Sequence, residues 1–308
     1  MKHYRYLIST EEYWNAMPEV QYMLDEPLAD ASAVALYFLD RMAAGEIKAV
    51  ISGEGADELF GGYPIYHEPV SLHGYQHLPQ GLRCFFSRCA GYLPDGIKGK
   101  SFLTRGALPL EKRFIGNAYV FNSYEVQTLL RKDHLTVTPQ QQLASDYAGS
   151  VGKDDITRMQ EIDLNYWLWG DILLKTDKMS MAHSLECRVP YLDRQVFDVA
   201  SCLGTEQKIC GKQTKYLFRK VASGKVPLVD ADRKKLGFPV PIRVWLRQEP
   251  WAAHVKEVFQ EAPGSRYFDT DQLMKYMNAH IAGKADNSRK IWTIYSFIQW
   301  YTAYFVRP

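Results

Sequence analysis

Long apolar runs are absent from this sequence. No stretch approaches the roughly 20 consecutive apolar residues that a membrane-spanning helix needs. The first residues, Met1 to Arg5, lead into a polar stretch that has no apolar signal core. Both absences argue against a membrane protein and against export, so we expect a cytoplasmic protein without a membrane partner.

Cysteine is scarce, and neither sign of charge is in large excess. The five cysteines form no Cys-x-x-Cys pair and His-Glu-x-x-His does not occur, so the sequence indicates neither a zinc site nor a disulfide framework. Lys and Arg number 37 against 35 Asp and Glu, a formal net charge of +2. The aromatic residues are not interleaved with Lys and Arg as in a base-stacking platform, and we expect no nucleic-acid partner.

Material for a folded core is plentiful. The chain has 308 residues, which at roughly 150 residues per domain suggests one large domain or two smaller ones. Hydrophobic residues make up 46% and charged residues 23%, as in ordinary soluble proteins. The 20 Tyr, 14 Phe and 7 Trp cluster in helix-like stretches, so we interpret them mainly as helical core.

One unit of an α/β sheet is recognisable near the start of the chain. Helical periodicity covers residues 27–44, with Asp30 or Ser32 as its candidate cap. Residues 47–51 have the pattern of a short buried strand, and a glycine-rich loop follows at residues 52–63. The order helix, strand, loop, helix is typical of an α/β fold.

The remainder is predicted to be helices and loops, which makes the fold mostly helical with one or two strands. We find no clear element in the first twenty residues, and residues 78–105 are the loosest part of the pattern. The predicted helices are 124–131, 155–175, 194–203, 214–223, 242–247, 271–282 and 288–305.

The loop at residues 52–63 is the most informative segment. Ligands of open α/β sheets bind beyond the carboxyl ends of the strands, where this loop begins. Gly53 and Gly55 allow close approach of the backbone to a ligand. Glu54 and Asp57 are three apart, so a helical turn places both carboxylates on one side, as suits Mg²⁺ bound with phosphate oxygens. One of them could instead be a base, and a glycine-rich turn with a capping aspartate is the structural alternative.

A second cluster, residues 174–193, is unusually polar for a stretch between apolar helices. Pro190 ends any helix there, and Asp193 fits the N-cap of the next one. Four side chains in it form either a buried polar network or a site: Asp177, His183, Glu186 and Arg188.

A third cluster, residues 233–241, joins a basic run to a stiff Gly-Phe-Pro-Val-Pro segment. A basic run is usually a solvated surface. On a rigid loop, however, lysines such as Lys235 are well suited to bind phosphate.

Taken together and in this order, the clusters resemble the synthetase domain of glutamine-dependent asparagine synthetases of the shorter bacterial type. The similar segments are residues 52–63, 113–118, 177–193 and 234–241. The resemblance covers nearly the whole chain. It implies a partial adenine-nucleotide α-hydrolase-like (ATP-pyrophosphatase) synthetase domain, truncated at its N-terminus.

The resemblance also implies an activity with ATP and Mg²⁺ as cofactors. In the family, the side-chain carboxylate of aspartate is activated as an acyl-adenylate with release of pyrophosphate, and ammonia then displaces AMP. The roles implied for this chain are Ser52 and Gly53 beside the nucleotide, Asp57 on Mg²⁺, Glu54 binding or deprotonating ammonia, and Lys235 neutralising the phosphates. The substrate side is implied to include Asp177, His183, Glu186 and Arg188.

Two family features are absent from the sequence. The phosphate loop Ser-Gly-Gly-x-Asp-Ser does not occur, and Lys2 follows Met1 where the family's glutaminase domain has its catalytic cysteine. We therefore expect that the glutaminase domain is missing and that the chain alone is inactive. Residues 1–70 would be the remaining part of the nucleotide-binding core and residues 71–308 the helical remainder. Because the family is often dimeric, a homodimer is a candidate assembly.

Two other functions stay open at this point. The same adenylating architecture could amidate another carboxylic acid, which product analysis with different acids would reveal. Alternatively, the chain is a non-catalytic truncated remnant or binding module, in which case it would not bind Mg-ATP.

Overall fold

The computed structural model describes residues 2–93, 97–131, 137–227 and 237–306. Within them the chain is mostly helical with a small parallel sheet, as the sequence predicts. The strands are β1 (Ala49–Ile51) and β2 (Glu186–Arg188). The α-helices are α1 (Thr10–Met23), α2 (Ser32–Ala44), α3 (Ala56–Phe60), α4 (Glu68–Gln76), α5 (Gln80–Gly91), α6 (Lys100–Gly106), α7 (Leu110–Arg113), α8 (Ser123–Leu129), α9 (Pro139–Gln142), α10 (Ala144–Gly149), α11 (Asp155–Ile162), α12 (Leu174–Met181), α13 (Arg194–Ser201), α14 (Thr205–Lys208), α15 (Tyr216–Ser223), α16 (Ile242–Trp245), α17 (Trp251–Gln260), α18 (Ala262–Tyr267), α19 (Thr270–Ile281) and α20 (Ser288–Tyr301). Asp163–Leu173 and Thr302–Val306 are π-helical, and Pro64–His67 and Pro190–Leu192 are 3₁₀ turns.

The two strands pair in parallel, which sets the position of everything that follows them. Ala49 lies opposite Glu186 and Ile51 opposite Arg188. The backbone N–H of Ser52 donates to the carbonyl of Arg188 at 2.9 Å, which continues the pairing by one residue. The chain segments that leave β1 and β2 therefore lie side by side at one edge, which we call the carboxyl edge. The polar cluster predicted at residues 174–193 thus contains the strand β2.

Most predicted helices are present. The stretch predicted at 155–175 is α11, the π-helical segment Asp163–Leu173 and the start of α12. The Asp193 carboxylate accepts from the N–H of Gln195 at 2.8 Å and begins α13, as expected. Residues 78–105, predicted to be the loosest, contain α5 and α6, which pack against each other.

The expectation of no clear element in the first twenty residues is wrong, because they contain most of α1. Ser9 Oγ accepts from the N–H of Glu12 at 3.1 Å, and the N–H of Ser9 donates to the Glu12 carboxylate at 2.9 Å. This reciprocal pair is a capping box, which satisfies two donors at the start of the helix. The face that carries Tyr13, Trp14 and Met17 is fully buried.

Two hydrophobic clusters hold the helices together. The larger one packs α1 and α2 against helices from α16 to α20, so that residues near both ends of the chain share one core. Its aromatic centre includes Trp14, whose ring stacks on Trp251 with centroids 5.1 Å apart and meets Trp292 edge-on at 5.6 Å. The smaller cluster includes Tyr66, Phe114, Tyr147 and Ile162.

Among the described residues, each helix is too short or too polar to cross a bilayer.

Asp40 in α2 is a buried acid whose effect on stability can be tested. Asp40 is 5% exposed, and its Oδ2 has no hydrogen-bond partner within the described ranges. Burial raises the pKa of this carboxyl to about 6. Its charge also adds to the effect of burial in raising the pKa of the Cys187 thiol of β2.

A pKa raised on folding means that the neutral acid is the favoured form. The contribution of the neutral Asp40 carboxyl to stability is therefore fully present below pH ~4, its pKa in the unfolded chain. That contribution is lost as pH rises through about 6, its pKa in the folded protein. We expect Asp40→Asn to be more stable than the parent by about 2 kcal/mol at pH 8, with little difference at pH 4. Urea unfolding at both pH values measures this, with the exposed Asp198→Asn as control. Parallel pH profiles of the Asp40 variant and its parent would contradict it.

Candidate active site

The glycine-rich loop leaves β1 and folds against the turn that leaves β2. Gly55 has a left-handed backbone, with φ of +85°, immediately before α3. A Cβ at this residue would lie 2.2 Å from Cδ2 and 2.6 Å from Cγ of Leu192, in the 3₁₀ turn Pro190–Leu192. Glycine is thus required both for the conformation and for the contact. The loop is thereby held at the carboxyl edge of both strands.

Asp57, in the first turn of α3, forms an ion pair with Lys215. The distance from Asp57 Oδ1 to Lys215 Nζ is 2.9 Å, and each side chain is about one-fifth exposed (21% and 17%). Gly62 lies against this pair, since a Cβ there would come within 1.8 Å of Asp57 Oδ1 and 2.3 Å of Lys215 Cε. A carboxylate and an ammonium thus stand together at the carboxyl edge, both partly open to solvent.

Three aromatic rings fix the helix that follows Lys215. Phe218 of α15 packs on Phe60 with ring centroids 5.0 Å apart and on Tyr191 at 5.4 Å. Phe60 ends α3, and Tyr191 lies in the turn after β2. The rings therefore join the glycine-rich loop, the turn after β2 and α15, and hold Lys215 beside Asp57.

A buried hydrogen-bond chain supports the loop from behind. Glu58, 1% exposed, accepts from the Tyr63 hydroxyl at 2.6 Å, and that hydroxyl accepts from Trp167 Nε1 at 3.0 Å. Burial raises the pKa of Glu58, although the bond from Tyr63 opposes this. These two hydrogen bonds connect α3 to the π-helical segment Asp163–Leu173.

A second charged group lies near the loop. Lys175, 5% exposed, pairs with the Asp30 carboxylate, donates to Ser32 Oγ at 3.1 Å, and has Nζ 3.9 Å from Asp171 Oδ1. Burial lowers the pKa of Lys175, but the charges of Asp30 and Asp171, and then Glu54, raise it overall. Glu54 is therefore close enough for its charge to act on Lys175.

The structure brings some of the predicted site residues together. Ser52, Gly53, Glu54 and Asp57 all follow β1 at the carboxyl edge, and Arg188 ends β2 at the same edge. The Arg188 side chain, however, is 69% exposed and points back along β2, where its Nε donates to the Glu186 carboxylate at 2.9 Å.

Other predicted residues lie elsewhere. Glu186 begins β2 and so stands at its amino end. His183 precedes that end and packs its ring on Tyr37 at 4.5 Å, where burial lowers its pKa. Asp177 is exposed on α12 and lines a cavity of about 750 Å³. Lys235 lies outside the described residues.

Sequence reasoning missed Lys215 and the group Asp30, Lys175 and Asp171 as site candidates. The sequence pattern predicts only a helix cap at Asp30, and its carboxylate does accept from the N–H of Ser32 at 2.8 Å. Nothing in the local pattern around Lys215 distinguishes it from other lysines. Contacts between distant segments identify all four residues.

The arrangement is that of an α/β domain whose candidate site residues gather at the carboxyl ends of parallel strands. Residues 1–302 match the family model described as asparagine synthase. The chain belongs to the asparagine synthase family. It has part of the adenine nucleotide α-hydrolase-like fold.

Two relatives with named functions agree with this family. The chain is 45% identical over 298 residues to asparagine synthetase [glutamine-hydrolyzing] 1 of Bacillus subtilis, covering 96% of this chain and 47% of that protein. It is 43% identical over 308 residues to a putative asparagine synthetase [glutamine-hydrolyzing] of Mycobacterium tuberculosis, covering 98% of this chain and 46% of that protein. The chain thus spans about half the length of these relatives.

Proposed function

We propose that this chain performs the synthetase part of asparagine formation. The reaction is the ATP-dependent amidation of L-aspartate by ammonia through an aspartyl-adenylate, giving asparagine, AMP and pyrophosphate. The supporting observation is the convergence of the Ser52–Asp57 loop and Lys215 where both strands end. Family membership and the names of the relatives support the same reaction.

The residues at the carboxyl edge fit Mg²⁺ and a nucleotide. Mg²⁺ is commonly held by one or two carboxylates together with phosphate oxygens, and Asp57 offers one carboxylate at an open edge. When bound, Mg²⁺ would neutralise phosphate charge. Lys215, already 2.9 Å from Asp57, would then exchange its carboxylate partner for a phosphate oxygen. Ser52 and Gly53 border the nucleotide.

Glu54 is the proposed group for ammonia. It stands between Gly53 and Gly55 on the loop, and its charge reaches Lys175. A carboxylate there can hold ammonium and accept its proton as the carbon–nitrogen bond forms. Lys235 is assigned by resemblance to the departing pyrophosphate, and Asp177, His183, Glu186 and Arg188 to the substrate side.

About half of the relatives' length has no counterpart in this sequence. We propose residues 1–70 as the nucleotide-binding part and residues 71–308 as the helical remainder. Glutamine hydrolysis, which the names of the relatives include, would come from polypeptide outside these 308 residues. Without a Ser-Gly-Gly-x-Asp-Ser loop to cradle the phosphates, the 308 residues by themselves are expected to be inactive.

Reconstitution tests this function. The chain is combined with the separately expressed part of the Bacillus subtilis relative that it does not match, and supplied with L-aspartate, ATP, Mg²⁺ and ammonium. We expect asparagine, AMP and pyrophosphate from the mixture and none from the chain alone. Formation of ADP and phosphate would contradict the adenylate, amidation of another acid in preference to aspartate would contradict the substrate, and no amide product would contradict the function.

A further inference from the structure

Helix α5 turns an apolar side toward solvent. Leu82, Phe85 and Cys89 recur three and four residues apart, which places them on one side of the helix, and Tyr92 continues the row at its C-cap. Leu82 is 44% exposed, Phe85 61% and Tyr92 92%, and Cys89 is exposed as well. We call these four residues the α5 row. An amphipathic helix of a globular domain normally packs its apolar side on the core, so this orientation is unusual.

The opposite side of α5 is fixed by contacts with α4 and α6. Ala90 on that side is 1% exposed. Arg83 Nη1 donates to the carbonyl of Gly106 at the end of α6 at 3.1 Å, and the Tyr75 hydroxyl of α4 donates to the carbonyl of Arg83 at 3.3 Å. These contacts hold the helix with the α5 row facing outward.

Positive charge accompanies the α5 row. Arg88 is exposed and follows Phe85 by three positions, so it flanks the row. Lys100 Nζ donates to the carbonyl of Leu93 at 2.7 Å, which places an ammonium at the C-terminal end of α5. Residues 78–106 contain five basic residues and one acid, Asp95, whereas the whole chain has a net charge of +2. The five are Arg83, Arg88, Lys98, Lys100 and Arg105.

The acid of the neighbouring helix does not offset this charge. Glu68 of α4 accepts from Arg105 Nη2 and from Arg113 Nε, both at 3.1 Å. Its side chain is only 14% exposed. Two guanidinium groups therefore neutralise this carboxylate, and the surface around α5 stays basic.

Size and charge together select the kind of partner. Helix α5 has 12 residues, so the row is about 18 Å long and offers roughly 200 Å², whereas a stable protein interface buries about 800 Å² per partner. A second copy of the chain would also bring the same basic residues toward one another, because a two-fold interface repeats one surface. A bilayer with anionic lipids accepts a short apolar row and attracts the basic residues beside it.

We propose that α5 is an interfacial helix that binds the surface of an anionic lipid bilayer. Leu82, Phe85 and Tyr92 enter the boundary between head groups and acyl chains, and Arg88 and Lys100 contact anionic head groups. A short amphipathic helix is sufficient for this attachment, so it departs from the expectation of no membrane partner that the lack of long apolar runs suggested. The proposal concerns where the protein is held and is independent of the reaction that it takes part in.

Flotation of the 308-residue chain with lipid vesicles tests this proposal. One set of vesicles is phosphatidylcholine alone, and the other contains an equal part of phosphatidylglycerol. We expect binding to the anionic vesicles to be at least about 10-fold stronger than to the neutral ones and to weaken in about 1 M salt. Equal binding to both kinds of vesicle, or binding to neither, would overturn the proposal.

Two substitutions separate the apolar and the charged contributions. Phe85→Ser is expected to weaken binding to anionic vesicles about 10-fold, and Arg88→Glu at least about 5-fold. The matched controls are Tyr124→Ser, at a residue of α8 that is 74% exposed, and Arg194→Glu, at an exposed residue of α13, and both should bind like the parent. Circular dichroism verifies folding. If each control weakens binding as much as its α5 counterpart, adsorption is general and the assignment to α5 is wrong.

Two further measurements distinguish the bilayer from a protein partner. In sedimentation equilibrium without vesicles, the parent and Phe85→Ser are expected to have the same mass. A parent dimer that Phe85→Ser dissociates would assign the α5 row to a second copy and overturn the proposal. The reconstituted mixture should also bind anionic vesicles. If the added part of the Bacillus subtilis relative abolishes vesicle binding, that polypeptide covers the row and the proposal fails.

Discussion

Replacing Asp57 with asparagine is expected to lower the rate of asparagine formation by the reconstituted mixture by at least about 100-fold. In the proposed site Asp57 is the carboxylate that holds Mg²⁺ on the phosphates, and an amide offers no charge for that purpose. The substitution also removes the partner that keeps Lys215 in place, since its Nζ is 2.9 Å from Asp57 Oδ1. Both effects would weaken the stabilisation of phosphate charge in the proposed adenylation.

The Asp57 experiment has a matched control in Asp198→Asn. Asp198 is exposed on α13 and has no proposed role, so its variant is expected to keep the parent rate. Aspartate-dependent exchange of pyrophosphate into ATP measures adenylation separately from the ammonia step, and should fall by the same factor. A folded Asp57 variant with a rate within ten-fold of the parent would contradict the assignment of Mg²⁺ to Asp57.

The loop after β1 could be predicted from sequence because its signals are local. A short apolar run followed at once by glycines and carboxylates identifies a strand end and a ligand loop within one stretch of chain. The same reasoning gave the cap at Asp193, since a proline followed by an aspartate marks the start of a helix. Capping signals also existed for α1, where Ser9 and Glu12 stand in the capping-box spacing, but the polar residues around them concealed the helix.

The rest of the candidate site depends on contacts between distant segments. Asp57 and Lys215 are 158 positions apart, and the pairing of β1 with β2 is what brings their segments together. β2 has three residues, two of them charged, so it carries no apolar strand pattern. Lys175 and Asp30 likewise meet only because α2 and α12 pack side by side.

The polar cluster at 174–193 shows the limit of reading a motif as one site. Its members divide between the two ends of β2 because a strand runs through it. Arg188 ends the strand, whereas Glu186 begins it. His183 comes earlier still and lies against Tyr37 of α2. Arg188 and Glu186 stay in contact through their ion pair, whereas His183 lies apart from the carboxyl edge.

Replacing Gly55 with alanine is expected to lower the free energy of unfolding by about 3 kcal/mol. A non-glycine residue in the left-handed region costs roughly 1 to 2 kcal/mol, and the φ of Gly55 is +85°. The new Cβ would also lie 2.2 Å from Cδ2 and 2.6 Å from Cγ of Leu192. Because Cγ is involved, rotation of the terminal methyl groups alone cannot relieve the overlap, and such overpacking adds about 1 to 3 kcal/mol. Urea unfolding measures the loss.

Gly74→Ala is the matched control, with the opposite sign expected. Gly74 lies inside α4 and a Cβ there meets nothing within 4 Å, so alanine should stabilise the protein by about 0.5 to 1 kcal/mol through helix propensity. If both alanine variants are equally stable, the contact between the glycine-rich loop and the turn after β2 is not what requires glycine at position 55. Because that contact holds Asp57 at the carboxyl edge, the Gly55 variant should also bind Mg²⁺ and nucleotide more weakly under conditions where it is fully folded.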